Sequence, residues 1–141
     1  MYRVLVAVDS NEERAEAVAR AVADLPGDPD TIEVVLLNVF EEFAGTDEGR
    51  RITSDDLYDA EEFPESVDAA HAIFADGGHD PVRRRDHGEP AKRITAVAAD
   101  VDADLIALSG RKRSPTGKAL FGSVTQSVLL SADRPVLVAM G

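Results

Sequence analysis

No cysteine occurs in the 141 residues. Disulfide scaffolds, thiolate metal sites and cysteine nucleophiles are excluded, and nothing requires an oxidising compartment. Tryptophan is absent too, and lysine appears only at Lys92, Lys112 and Lys118. No apolar run approaches the roughly 20 residues of a membrane span. Met1 to Val8 lacks the layout of a secretory leader. These absences predict a soluble, cytoplasmic chain that does not associate with membranes. Its length fits one domain over residues 1–141.

Basic charge is scarce. The 27 Asp and Glu outweigh the 15 Lys and Arg, leaving a net charge of -12. General nucleic-acid affinity is therefore not expected, because phosphate backbones need a basic surface. Disorder is not expected either, because 44% of the residues are hydrophobic and they fall in ordered patterns. Such an acidic, lysine-poor surface suggests a protein adapted to concentrated salt. At about 1 M ionic strength the screening length is near 3 Å, which mutes self-repulsion.

The apolar patterning alternates between two kinds of segment. Tyr2–Val8, Thr31–Phe40, Asp104–Ser109 and Pro135–Met140 are nearly continuous apolar runs, as in strands buried on both faces. Asp80–Asp86 is a weaker, polar strand carrying Arg83, Arg84 and Arg85, which suits a sheet edge with acidic partners. Helical spacing follows Ser10, where Ser10 and Glu13 form a capping-box signature, and stops at Pro26-Gly27. Further helices are expected over Glu65–Ala75, from Glu89-Pro90 onward, and from Ser123 to about Ala132. Ser123 and Gln126 suggest a second capping box there. Residues 41–64 show no sustained period and are expected to form a long acidic loop. The strand–helix alternation predicts an α/β fold with a parallel sheet and helices on both faces. In open sheets of this kind, ligands bind beyond the carboxyl ends of the strands, where strand order reverses. Asp9, residues 38–40 and the segment after Ser109 are expected around that crevice.

That last segment is the exception to the acidic composition. Between Asp104 and Asp133 there is no acidic residue, while Arg111, Lys112, Arg113 and Lys118 add four positive charges. Gly110, Gly117 and Gly122 allow close backbone approach. The segment ends at a helix start, where free N–H groups favour an anion. Together these features describe a phosphate cradle. The alternative is a solvated turn whose charges pair with acids or a partner subunit. It is not a Walker A loop, since Lys112 and Ala119 stand where that motif needs Gly and Ser or Thr.

The segments VLVAVDS, LLNVF, HGEPAKRI, DLIALSGR and GSVTQSVLLSADRPVLVAMG together resemble the universal stress protein family over nearly the whole chain. The resemblance implies a flavodoxin-like, five-stranded parallel sheet in the order 3-2-1-4-5. It also implies a homodimer, here through Pro135 to Met140, and in one branch of the family the binding of ATP. Asp9 would then contact the adenosine and Val39 the adenine. The phosphates, with or without Mg2+, would lie among Gly110, Arg111, Arg113, Gly117, Lys118, Gly122, Ser123, Val124 and Thr125. The family loop has the form G-x-x-G-(x)9-G-[ST]. Here Arg113 replaces the second glycine, and the spacing from Gly110 to Gly122 is one residue short. Asn38 stands where many members carry His.

The expected role is a stress-linked regulator or sensor without catalytic residues. The alternatives are a nucleotide-free dimeric module of the same fold, or a slow nucleotide hydrolase. An aspartyl nucleophile of haloacid-dehalogenase type would have a second Asp two residues after Asp9, where this chain has Asn11. A receiver domain would carry an acidic pair after strand 1 and its acceptor after strand 3, where Asp86 is the only candidate. Ser123 has no evident base. His71, His79 and His87, eight residues apart, match no metal motif. His87, beside a helix start, is read as an ordinary loop residue or as a lining of the crevice.

Overall fold

Alternate residues of the central strands feed two separate cores, which is why those strands read as unbroken apolar runs. The computed structural model describes residues 1–40, 63–110 and 122–140. The strands are β1 (Tyr2–Val8), β2 (Ile32–Phe40), β3 (Val82–His87), β4 (Leu105–Gly110) and β5 (Val136–Met140). All neighbours pair in parallel. The order is β3-β2-β1-β4-β5, as expected.

Helices α1 (Glu12–Ala23) and α2 (Glu65–Asp76) cover one face of the sheet, and α3 (Pro90–Asp100) and α4 (Ser123–Ser131) cover the other. Val4, Val6 and Val8 of β1 meet Val18 and Val22 of α1 and Phe74 of α2. Leu5 of the same strand faces Ile94 and Val97 of α3 instead. Each such side chain, fully buried, stabilises the fold by roughly 1.5–3 kcal/mol before entropy is counted.

The helix starts correct two expectations. Helix α1 is capped by Asn11, not Ser10. The Asn11 side chain accepts from the Arg14 N–H at 2.9 Å, and the Asn11 N–H donates to Asp9 Oδ1 at 2.9 Å. The Asp9 carboxylate thus draws the cap one residue on. Helix α4 is capped by Gly122, and Ser123 is its first helical residue, so there is no capping box with Gln126. Gly122 has φ 88 and ψ 155, which a serine would not tolerate.

Strand β3 is the polar edge strand anticipated, displaced to Val82–His87. Arg83 pairs with Asp68 at 2.7 Å and Arg84 with Asp100 at 3.0 Å, while the Arg85 guanidinium stacks over Phe40 at 4.7 Å. Among the described residues no helix is long and apolar enough to cross a membrane. The expected loop over 41–64 lies, up to residue 62, outside the described residues.

Candidate functional site

Strand order reverses between β1 and β4. The chain leaves β1 toward β2 on one side and leaves β4 toward β5 on the other. Their carboxyl ends therefore part and open a crevice. A pocket of about 160 Å3 lies there. Pockets that enclose a whole drug-sized ligand run to roughly 300–1,000 Å3. This one is smaller than that range.

The walls are apolar: Ala7 of β1, Val39 of β2, Pro90 and Ile94 of α3, Leu108 of β4, and Val124 of α4. The exposed polar residues of the lining are Asp9 and Ser123, while Thr125 is buried. Asp9 follows β1 directly, and its side chain is 54% exposed. Its Oδ2 accepts from Arg14 Nη2 at 2.9 Å. An exposed pair of this kind is worth only about 0–1 kcal/mol, so a ligand can compete for either member. Across the crevice stand Ser109 and the start of α4 at Gly122, Ser123 and Thr125.

Three helix starts border the crevice. At α3 the first position is Pro90, which has no N–H to offer, and among the described residues no side chain caps that start. The starts of α1 and α4 differ in kind. At α1 the Asn11 side chain already occupies the Arg14 N–H. At α4 the N-cap is a glycine. Among the described residues no side chain caps the first main-chain N–H groups of α4, and its positive dipole end favours an anion. Thr125 Oγ1 donates to Ser109 O at 2.9 Å, so its single proton is committed to the protein.

Helix α3 is fixed beside the pocket by a charged clamp. Arg93 Nε and Nη2 both donate to Asp86 Oδ2, at 3.1 and 2.8 Å. Burial opposes ionisation of Asp86, but the bonds from Arg93 and from the His87 main chain outweigh it. Its pKa lies below the ordinary value.

The crevice brings together Asp9, Val39, Gly122, Ser123, Val124 and Thr125 of the residues expected from sequence. Gly110 ends β4 outside the pocket lining. A Cβ there would lie 2.6 Å from Met140 Sδ and 2.7 Å from Val138 Cγ1, so glycine allows β5 to pack against it. Arg111, Arg113, Gly117 and Lys118 lie outside the described residues. Arg14, Pro90 and Ile94 were not foreseen. Arg14 sits in the first turn of the helix that follows a crevice strand, and Pro90 and Ile94 are one helical turn apart; those placements were the available signals. His87 is the exposed last residue of β3 and does not line the pocket. His79 packs edge-on to Phe74. Among the described residues no cluster of three His, Asp or Glu is placed to hold a metal ion.

A family model described as the universal stress protein family matches residues 1–139. The chain belongs to that family. A universal stress protein from Mycolicibacterium smegmatis is 36% identical over 88 residues, which are 60% of this chain and 68% of that protein. The solved universal stress protein from Archaeoglobus fulgidus is 31% identical, with 98% of each chain covered and a TM-score of 0.74. A universal stress protein from the same organism, solved in complex with dAMP, is 24% identical with a TM-score of 0.68. It covers 98% of this chain and 97% of its own, and the likeness is one of fold. The sheet order and the crevice are thus set in a universal stress protein architecture.

Proposed function

We propose that this universal stress protein binds an adenine nucleotide, ATP with or without Mg2+, in the crevice between β1 and β4. The observation that carries the reading is the uncapped start of α4 at Gly122, facing Asp9 across an apolar slot. The adenine ring lies between Val39, Ile94 and Val124. Asp9 accepts from the ribose hydroxyls. The phosphates meet the N–H groups at Ser123 and Val124, with Gly110 at the edge of the site and Arg111, Arg113, Gly117 and Lys118 supplying the basic loop. The dAMP complex of the Archaeoglobus fulgidus relative supports the ligand class.

The protein acts by binding, as a stress-linked cytoplasmic regulator, and turnover is slow or absent. Strand β5 pairs with its own copy across a two-fold axis and forms a homodimer through Pro135 to Met140. Replacement of the second loop glycine by Arg113 favours a second reading, a nucleotide-free dimeric module.

The test is the ultraviolet spectrum of freshly purified protein in concentrated potassium chloride, with chromatography of the acid-released small molecules. The chain has no Trp and two Tyr, so bound adenine dominates its spectrum. Released adenine nucleotide is expected. A clean protein spectrum, together with no melting shift on adding ATP and magnesium, selects the nucleotide-free module.

A further inference from the structure

Among the described residues four polar side chains are buried: Asn38, Ser66, His79 and Thr125. His79 packs on Phe74. The other three all donate to main-chain carbonyls at the carboxyl ends of β1 and β4. Thr125 Oγ1 donates to Ser109 O at 2.9 Å, Asn38 Nδ2 to Val8 O at 3.1 Å, and Ser66 Oγ to Asp9 O at 2.6 Å. Three buried hydroxyl or amide groups thus converge on the rim of one crevice.

Ser66 is the least expected of them. It is 1% exposed and lies beside the core residues Val67, Ala70 and Phe74 of α2. Alanine would suit those neighbours and the helix better. A serine inside a helix satisfies itself by donating to the carbonyl four residues back. Ser66 is the second residue of α2, so no helical carbonyl lies four residues back. Its hydroxyl needs an acceptor from another element. Asp9 O lies just beyond Val8, the last β1 residue paired with β2, and needs a donor. The two groups satisfy each other across 57 residues of sequence.

We propose that Ser66, assisted by Asn38, is a positioning residue for the ligand-binding carboxylate. It holds the main chain at Asp9 while Asn11 N–H and Arg14 hold the side chain. The carboxylate then meets a ligand hydroxyl from a preset place, and less ordering remains to be done on binding. The inference rests on the adenine-nucleotide reading of the pocket.

The experiment compares the full chain with Ser66→Ala in two measurements. ATP affinity is read by calorimetry. Amide exchange of the ligand-free proteins is read by NMR, at Asn11 and at Val4–Val6. The expected result is a Kd raised about three- to tenfold, the range that one lost neutral hydrogen bond supports. Asn11 exchange accelerates while Val4–Val6 stay protected. Equal ATP affinity in the two chains overturns the proposal. So does a uniform loss of protection across β1, which makes Ser66 a packing residue. If the unmodified chain takes no ATP, the nucleotide reading fails by itself. The exchange at Asn11 then decides the role of Ser66: unchanged exchange overturns it and selective acceleration upholds it. Ser66→Cys keeps a weak S–H donor on a somewhat larger side chain. It is expected to be intermediate in both measurements, and it replaces the alanine variant if that chain does not fold.

Discussion

Gly122→Ala separates the anion role of the α4 start from its role in stability. Gly122 holds φ 88 and ψ 155. An alanine kept there costs about 1–3 kcal/mol of backbone strain. If it relaxes instead, the peptide groups at the start of α4, which carry the Ser123 and Val124 N–H, change orientation. Gly27→Ala is the control. Gly27 has φ 121, and its added Cβ would meet nothing nearer than Thr31 Oγ1 at 3.5 Å, an ordinary contact. It lies before β2, at the amino ends of the strands and away from the pocket. Both variants should lose similar stability. For a domain of this size about 3–4 °C is lost per kcal/mol, so each melting temperature should fall by roughly 3–12 °C. Only Gly122→Ala should lose ATP. One charge-assisted main-chain bond is worth roughly 1.5–3 kcal/mol, so its Kd should rise at least about tenfold. Circular dichroism melts and titration calorimetry, both in concentrated potassium chloride, read the two quantities. Unchanged ATP affinity in Gly122→Ala would refute the assignment of the phosphates to α4. An unchanged melt would refute the strain argument.

Three further outcomes are expected. Asp86→Asn should cost about 1–3 kcal/mol at pH 7, because it takes the charge from the Arg93 clamp. Since the folded-state pKa of Asp86 is depressed, the clamp contributes fully above the unfolded value of about 3.9. Its contribution is lost as pH falls through the lower folded value, so urea unfolding should show the variant's deficit shrinking below about pH 4. Replacing Arg113 and Lys118 together with Ala should weaken ATP binding about tenfold or more, because both charges leave the basic loop; unchanged affinity in calorimetry removes them from the site. Light scattering at micromolar protein in high salt should give twice the 15.1 kDa chain mass; the single-chain mass removes the β5 pairing.

Where local chemistry decides, the sequence was readable. The apolar runs at Tyr2–Val8 and Thr31–Phe40 fit strands buried on both faces, and their alternation with helical segments implied the parallel sheet that is found. Asp9 and Ser123 fell in the crevice because strand ends and helix starts are readable from pattern. Helix caps were less legible. Ser10 and Asn11 are both good caps, and the choice fell to Asn11 through a bond to the Asp9 side chain that spacing does not reveal. At α4 the backbone angles of Gly122 decided, and no side chain reports them. Ser66 could not be found at all, since its partner is 57 residues away. Nothing in the residue pattern of α1 singles out Arg14, which the turn between β1 and α1 brings to Asp9.

The two margins of the sheet are unlike. Along β3, Arg83 and Arg84 are tied to acids and Asp86 to Arg93, so that margin carries a row of held charges. Along β5, Val136, Leu137, Val138 and Ala139 are half-buried and uncharged. Under the proposed β5 pairing a sheet with margins this unlike would have a fixed valence of one. Association would consume the uncharged margin of each copy and leave two charged ones facing outward. Growth would then end at a pair, because stacking strand after strand into a fibre needs a second uncharged margin.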